Sequence, residues 1–180
     1  FVNQLAVRPV MSAFTATATE QVRDDILCVL GLRSPKVLVT GFDRANLYFE
    51  VRTGNKKAEL LDYVKEHRTE SGIVYCATRK NVEEVCTMLQ MEDIPATRYH
   101  AGLSAEERKR NQDLFIFDEK PVMLATNAFG MGIDKSNVRY VVHYNMPQSM
   151  ENYYQEAGRA GRDGERAECI LLYSPQDVRI

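Results

Sequence analysis

Residues 155–164, Gln-Glu-Ala-Gly-Arg-Ala-Gly-Arg-Asp-Gly, are the part of this sequence whose residue types best suit chemistry. Arg159 and Arg162 lie three positions apart, and on a helical turn residues at that spacing point the same way. A guanidinium is always charged, and its fork of donors matches phosphate oxygens. Glycines at positions 158, 161 and 164 lower the helix propensity of the segment, which is costly unless another group must approach closely. The segment predicts a phosphate-binding turn or, alternatively, a solvated turn with ion pairs to Glu156 or Asp163.

Strands and helices in alternation must position this segment. Several apolar runs lack alternation, which is typical of strands buried on both faces of a parallel sheet. The pattern predicts a three-layer α/β fold with a mainly parallel central sheet. The predicted strands are 10–14, 36–40, 47–51, 73–78, 96–100, 122–126, 140–145 and 169–173. The predicted helices lie between Thr19 and Gly31, at 57–67, at 81–90, from Ser104 toward Phe115, and over most of 149–162.

Three predicted strands end in residues that a simple connecting loop would not require. These are Thr78 with Arg79, His100 with Gly102, and Thr126. Ligands of parallel sheets lie beyond the carboxyl ends of the strands. Hydroxyls, glycines and basic groups there suit phosphate binding through side-chain donors and close backbone approach. The plainer alternatives are an ordinary strand-end hydroxyl for Thr126 and a satisfied core-edge histidine for His100.

Composition sets limits on the function. The 180 residues are 44% apolar and 27% charged, which indicates one domain, or one domain plus a fragment, with a real core. A net charge of −2 excludes a generally basic polyanion binder but leaves room for a local nucleic-acid patch. Neither a membrane-spanning run nor a signal peptide is recognisable. Cys28, Cys76, Cys86 and Cys169 form no CxxC pair, so we expect core thiols in a reducing compartment and neither zinc nor any other metal site.

Five segments occur in an order that resembles the RecQ-like DNA helicases of helicase superfamily 2. They are MSAFTATAT, IVYCATRK, YHAGL, VMLATNAFGMGIDKSNVRYVVHYNMP and YYQEAGRAGRDG. The pair AFGMGID and YYQEAGRAGRDG is the most specific, and FDRANL supports it. The resemblance covers essentially all 180 residues. It implies two RecA-like lobes with ATP in the cleft between them and single-stranded DNA across their top.

Two motifs that such a protein needs are missing from the sequence. It has no GxxxxGK[ST] phosphate loop and no DE-x-H acidic box, and the resemblance assigns both to the first lobe. We therefore expect residues 1–42 to be the end of lobe one and residues 43–180 to be nearly all of lobe two. The Mg²⁺ ligands that accompany ATP are expected in the missing first lobe, and the fragment alone is expected not to hydrolyse ATP.

The resemblance also implies roles around the arginines. Arg162 resembles the arginine finger that reaches the γ-phosphate, and Arg159 resembles its neighbour on the same nucleotide. Gln155 resembles a polar contact on the nucleotide side. Gly132 and Asp134 resemble residues that touch the ribose or link to the finger. Relatives often have asparagine in place of Asp134, and the carboxylate also suits a helix or turn cap.

Other implied roles concern DNA and coupling. Five of the strand-end residues resemble groups that bind the DNA backbone, namely Thr78, Arg79, His100, Gly102 and Thr126. Thr15 and Thr17 resemble the motif that couples ATP state to lobe movement, although both also suit capping of the next helix. The expected activity is ATP hydrolysis coupled to 3′-to-5′ translocation on single-stranded DNA and duplex unwinding, in DNA repair or recombination. Partners would be single-stranded or partially duplex DNA and the first lobe, in the bacterial nucleoid or eukaryotic nucleus, with no membrane.

The apolar face of the first predicted helix would lack its partner lobe, so truncation-induced self-association is also expected. Three other functions compete. An RNA helicase of the same superfamily usually carries His-Arg-x-Gly-Arg-x-x-Arg, where this chain has Tyr154-Gln155-Glu156-Ala157-Gly158-Arg159. A passive nucleic-acid-binding α/β module remains open. A dinucleotide-dependent enzyme is disfavoured, because Gly130-Met131-Gly132 is followed by Lys135 and by no helix pattern.

Overall fold

The computed structural model describes residues 7–15, 18–39, 43–127, 129 and 134–177. The chain divides into two compact units, Phe1–Asp43 and Arg44–Ile180. In the first, α1 (Glu20–Val29) forms as predicted, because the Thr19 side chain accepts a hydrogen bond from the Val22 amide at 3.3 Å. Gly31, at φ +53°, ends the helix in the left-handed conformation that glycine favours.

The two strands predicted on either side of α1 are wrong. The described residues of 10–14 and 36–40 are irregular, and residue 40 lies outside the described ranges. A strand needs a neighbour that takes up its hydrogen bonds, and no described residue of the first unit forms one. Val10 and Leu38 are accordingly 99% and 77% exposed. Their apolar pattern alone does not make a sheet.

The second unit contains the predicted parallel sheet. Its six strands are all paired in parallel, in the order β1-β6-β5-β2-β4-β3. The strands are β1 (Leu47–Thr53), β2 (Ser71–Tyr75), β3 (Ala96–Tyr99), β4 (Val122–Ala125), β5 (Val138–His143) and β6 (Ala167–Tyr173). All carboxyl ends therefore meet at one edge of the sheet, and all amino ends meet at the other.

Four helices lie between these strands in the described part of the second unit, and a short 3₁₀ turn follows β6. They are α2 (Lys56–Glu66), α3 (Arg79–Met91), α4 (Ala105–Ile116), α5 (Met150–Ala157) and the 3₁₀ turn Pro175–Asp177. The predicted capping box of Ser104 and Glu107 opens α4. Strand β2 ends at Tyr75 and α3 begins at Arg79, because the Thr78 side chain accepts from the Asn81 amide at 3.1 Å. Thr78 is thus a helix cap rather than a strand end.

The core lies on both faces of the sheet, as the continuous apolar strands predict. On one face α2 and α3 contribute Leu60, Val64 and Leu89, which pack with Val74. On the other face Phe115 of α4 and Ala157 of α5 pack with the neighbouring strand residues Ile73 and Tyr75. The side chains of β2 thus alternate between two buried faces, which establishes the three-layer fold.

The cysteines are core thiols with one exception. Burial raises the pKa of Cys76 to about 12, of Cys86 to about 11 and of Cys169 to about 12, so these thiols stay protonated. Cys28 is exposed, contrary to the prediction, because α1 buries none of its residues. Among the described residues, no helix is long and apolar enough to cross a membrane.

Candidate functional site

The two arginines singled out in the sequence lie on a turn and not on a helix. Helix α5 ends at Ala157 with Gly158 as its cap, and residues 158–164, called here the arginine turn, follow it. Gly161 has φ +56°, which breaks any helical continuation. The helix predicted over most of 149–162 is therefore wrong beyond Ala157, and the glycines that weaken helix propensity are the reason.

Arg162 lies at the surface of the arginine turn beside a carboxylate. Its Nη1 is 3.2 Å from Oδ1 of Asp134, and the two side chains are 33% and 91% exposed. Exposed ion pairs contribute little stability, so this pair holds Arg162 only loosely. A phosphate oxygen could replace the carboxylate, because both accept the same donors. The structure thus brings together two of the residues predicted at the nucleotide.

Arg159 lies beside Tyr75, a residue that the sequence analysis places only in a core strand. Its guanidinium lies near the hydroxyl of Tyr75, close enough for its charge to act on that group, and the hydroxyl donates to the Phe129 carbonyl at 3.1 Å. Burial raises the pKa of Tyr75 above its ordinary value, although the charge of Arg159 acts in the opposite direction. The neutral hydroxyl therefore joins the arginine turn to the loop after Thr126. A hydroxyl at the carboxyl end of an apolar strand was the only sequence signal for this role.

The residues predicted to grip DNA meet at the carboxyl edge of the sheet. The Thr126 amide donates to the Tyr99 carbonyl at 3.3 Å, which fixes the end of β4 beside the end of β3. A Cβ atom at Gly102 would lie 3.3 Å from Cδ of Arg79 and 3.1 Å from Nδ1 of His100. Arg79, exposed at the start of α3, thus lies directly beside the His100 loop. The absence of a side chain at Gly102 permits this close approach.

His100 is held by protein groups on both ring nitrogens. Its Nε2 lies 2.7 Å from Oε1 of Glu83, and its Nδ1 accepts from the Gly102 amide at 3.1 Å. Nε2 is therefore the protonated nitrogen, and the buried ring offers no further nitrogen to a phosphate. Burial works against ionisation of Glu83, yet hydrogen bonds from His100 and Arg98 hold the pKa of that carboxyl below its usual value. A DNA contact by His100 stays a prediction, and the geometry favours positioning of the loop.

A polar network missed by the sequence analysis supports the loop that carries Thr78 and Arg79. Oδ1 of Asn145 accepts from the Ala77 amide at 3.1 Å and from Nδ2 of Asn81 at 3.1 Å. Nδ2 of Asn145 donates to Asp177 at 3.3 Å. Lys56 completes the network with an ion pair to Asp177. Asn145 comes after β5, and nothing local in the sequence indicates that it reaches residues more than sixty positions away.

His143 and Glu156 form a second buried polar pair near this edge. His143 is 1% exposed, its Nε2 lies 2.9 Å from Oε2 of Glu156, and its ring stacks on Tyr75 at 5.6 Å. The pair fastens the last turn of α5 to the end of β5. The buried His143 therefore serves to connect α5 to the sheet.

The remaining predicted site residues are less informative. Gln155 is exposed on the last turn of α5, and Thr15 is exposed in an irregular segment of the first unit. Gly132 and Thr17 lie outside the described residues. In the described part of the chain no group of three or more His, Cys, Asp or Glu could hold a metal ion.

Comparison with known proteins decides the family. Residues 55–164 match the helicase conserved C-terminal domain. The chain is 51% identical over 179 residues to the ATP-dependent DNA helicase RecQ of Bacillus subtilis, covering 99% of this chain and 30% of that protein. It is 46% identical over 173 residues to the RecQ-like DNA helicase BLM of Xenopus laevis, covering 93% of this chain and 13% of that protein. The chain belongs to the helicase C-terminal domain family, in its RecQ-like branch.

Solved structures agree on the fold. Dbp5 of Saccharomyces cerevisiae, bound to RNA and ADP BeF3, matches with a TM-score of 0.73 and 24% identity over 91% of this chain and 45% of Dbp5. A variant of Dbp5 with the same ligands matches with a TM-score of 0.78. The parallel sheet of the second unit is therefore that of a RecA-like helicase lobe. The chain spans less than a third of the length of the RecQ relatives it matches here.

Proposed function

We propose that this chain is the second motor lobe of an ATP-dependent DNA helicase. Residues 43–180 would form that lobe, and residues 1–42 would be the end of the first. The intact protein would couple ATP hydrolysis to 3′-to-5′ movement on single-stranded DNA and to duplex unwinding, where chromosomal DNA lies in the nucleoid or nucleus. DNA is favoured over RNA because the RecQ relatives at 51% and 46% identity are named DNA helicases.

The observation that carries the proposal is the partly exposed Arg162 at the surface of a turn that also carries Arg159. Two guanidinium groups on one turn suit the phosphates of ATP, and the outer one forms an ion pair with the exposed carboxylate of Asp134. An arginine of this kind stabilises charge that develops on the transferred phosphoryl oxygens. Magnesium would neutralise the remaining charge, and its ligands would come from the first lobe.

The nucleic-acid track would lie along the carboxyl edge of the sheet. Arg79 and Thr126 would contact the DNA backbone, whereas His100 would shape their loop through Glu83 and Gly102. Phosphate contacts of this kind give affinity without reading sequence. The alternative of a passive binding module predicts the same DNA contacts but no catalytic role for Arg162.

The test is Arg162→Ala in the full-length protein. ATP turnover in saturating single-stranded DNA should fall by at least about 100-fold, because a finger acts mainly on transition-state charge. The KM for ATP should change much less. The matched control is Arg110→Ala, which removes an exposed arginine from α4 and should keep turnover near wild type. Retention of most of the turnover by Arg162→Ala would reduce Arg162 to a structural residue and favour passive binding.

A further inference from the structure

The backbone of the arginine turn is held by a side chain from the start of the second unit. Nη2 of Arg44 donates to the Ala160 carbonyl at 3.0 Å and to the Gly161 carbonyl at 2.8 Å, and Nη1 lies 3.5 Å from the Gly158 carbonyl. These three oxygens span the backbone between and around the two arginines of the turn. Arg44 is half-buried, so the contacts are shielded from water.

Asn46, two residues after Arg44, also holds the backbone of the arginine turn. Its Nδ2 donates to the Gly161 carbonyl at 2.9 Å and to the Glu165 carbonyl at 2.8 Å. Its Oδ1 accepts from Nε of Arg44 at 3.3 Å, which orients the guanidinium toward the turn. Both amide atoms of Asn46 and all three nitrogens of the Arg44 guanidinium are therefore engaged.

The turn needs such partners because of its backbone conformation. Carbonyls at the end of α5 have no helical amide to accept from, and a buried carbonyl without a donor costs free energy. Gly161 adopts φ +56°, and a Cβ there would lie 2.5 Å from Nδ2 of Asn46 and 2.7 Å from the Glu165 carbonyl oxygen. The turn is thus packed directly onto Asn46. An arginine supplies five donors in a fixed fork, and so can serve several carbonyls at once.

We infer that Arg44 and Asn46 are positioning residues that set the places of Arg159 and Arg162 at the nucleotide. The inference rests on the proposed function of this turn. Arg44 itself is no phosphate ligand, because its donors already serve backbone carbonyls and Asn46. The Gly161 amide, which donates to the Val138 carbonyl at 2.9 Å, secures the opposite side of the turn. The arginines are therefore positioned through the backbone that carries them.

The experiment compares Arg44→Ala and Asn46→Asp in the full-length protein. Asn46→Asp keeps the shape of the side chain but turns both donors into acceptors that face carbonyl oxygens. ATP turnover should fall by about 10- to 100-fold in each, since misplacement by about 1 Å is enough for such losses. The KM for ATP should stay within about threefold. Arg44→Lys, which keeps the charge and one donor group, should recover part of the turnover.

A double variant separates positioning from general damage. Because Arg44 acts through both arginines of the turn, Arg44→Ala should lower turnover by a smaller factor when Arg162→Ala is already present than in the wild type. The inference would be overturned if Arg44→Ala lowered turnover by the same factor in the Arg162→Ala background as in the wild type. Wild-type turnover in a folded Arg44→Ala or Asn46→Asp protein would also overturn it. Thermal melting identifies folded variants, and Arg44→Lys gives the same comparison if Arg44→Ala does not fold. If Arg162→Ala itself leaves turnover unchanged, the proposed function fails first.

Discussion

The Tyr75 hydroxyl connects two segments that the proposed motor must keep in register. It lies beside the Arg159 guanidinium of the arginine turn and donates to the Phe129 carbonyl, and the Phe129 amide donates to the Thr126 carbonyl at 3.0 Å. Thr126 lies at the edge proposed to bind DNA. Two hydrogen bonds therefore run from that edge to a hydroxyl that lies next to one of the proposed nucleotide-binding arginines.

Tyr75→Phe removes that oxygen and keeps the ring. We expect DNA-stimulated ATP turnover to fall severalfold in the full-length protein, because the Phe129 carbonyl loses its donor and Arg159 loses the hydroxyl beside it. Stability should fall by about 1 kcal/mol. Steady-state ATPase assays with and without single-stranded DNA measure the first effect, and urea unfolding measures the second.

Tyr140→Phe is the matched control for this change. The Tyr140 hydroxyl is buried and has no hydrogen-bond partner among the described residues, so its removal should leave turnover and stability nearly unchanged. Equal behaviour of the two variants would show that the Tyr75 hydroxyl positions nothing.

At the scale of elements, a buried lysine anchors the segment that leads into β5. Nζ of Lys135 lies 2.8 Å from Oδ1 of Asp118 and 3.3 Å from the Ile116 carbonyl, although its side chain is only 4% exposed. Asp118 also accepts from Ser71 and, at 3.4 Å, from Nδ2 of Asn137. Burial opposes ionisation, yet the contacts with Lys135 and Ser71 hold the pKa of Asp118 below its usual value. The residue after Asp134 is thereby fixed at the amino edge of the sheet.

Asp118→Asn should destabilise the chain in a pH-dependent way. A carboxyl whose pKa is lowered by folding contributes its full stability above the unfolded pKa, about 3.9, and loses it as pH falls through the folded pKa. The wild type should therefore exceed the variant by about 1 kcal/mol at pH 7, and the difference should shrink between about pH 5 and pH 2.

Urea unfolding at several pH values in that range measures this difference. Lys135, Ser71 and Asn137 are the groups that contact the carboxyl in the described part of the chain. Glu119→Gln, which neutralises the exposed next residue, should show no comparable difference. A difference between wild type and Asp118→Asn that is the same at pH 7 and pH 3 would exclude the ion pair as its cause.

At the scale of the whole molecule, the two units differ in how they are stabilised. Both core clusters lie within Arg44–Ile180, whereas none of the described residues in 7–15 and 18–39 is buried. Val10, Phe14, Val29 and Leu38 expose large apolar side chains in the first unit. Burial of apolar surface is the main stabilising contribution to folding, so the second unit holds the means to fold by itself.

Deletion of residues 1–42 should therefore leave a cooperatively folding protein. The shortened chain keeps Arg44 and Asn46, and it should be monomeric because the exposed apolar side chains of the first unit are gone. Residues 1–180 should instead self-associate as concentration rises. Circular dichroism melts and light scattering over a concentration series measure both. Loss of cooperative unfolding would move the domain boundary, and a strict monomer of 1–180 at high micromolar concentration would exclude the association.

Local sequence patterns were sufficient to predict the elements of the second unit and the composition of its site. Periodicity and caps are local, so α2, α3, α4 and the strands followed from neighbouring residues, and the continuous apolar runs indicated a sheet buried on both faces. The extent of α5 and the strands of the first unit were misjudged, since glycines end a helix and a strand requires a partner that local pattern does not supply. The residues that hold the site in place became evident from the three-dimensional contacts. Arg44 reaches the Gly161 carbonyl across 117 positions of sequence, and Tyr75 reaches Phe129 across 54. Contacts of that range depend on the order of the strands, because parallel neighbours bring together residues that no short segment relates.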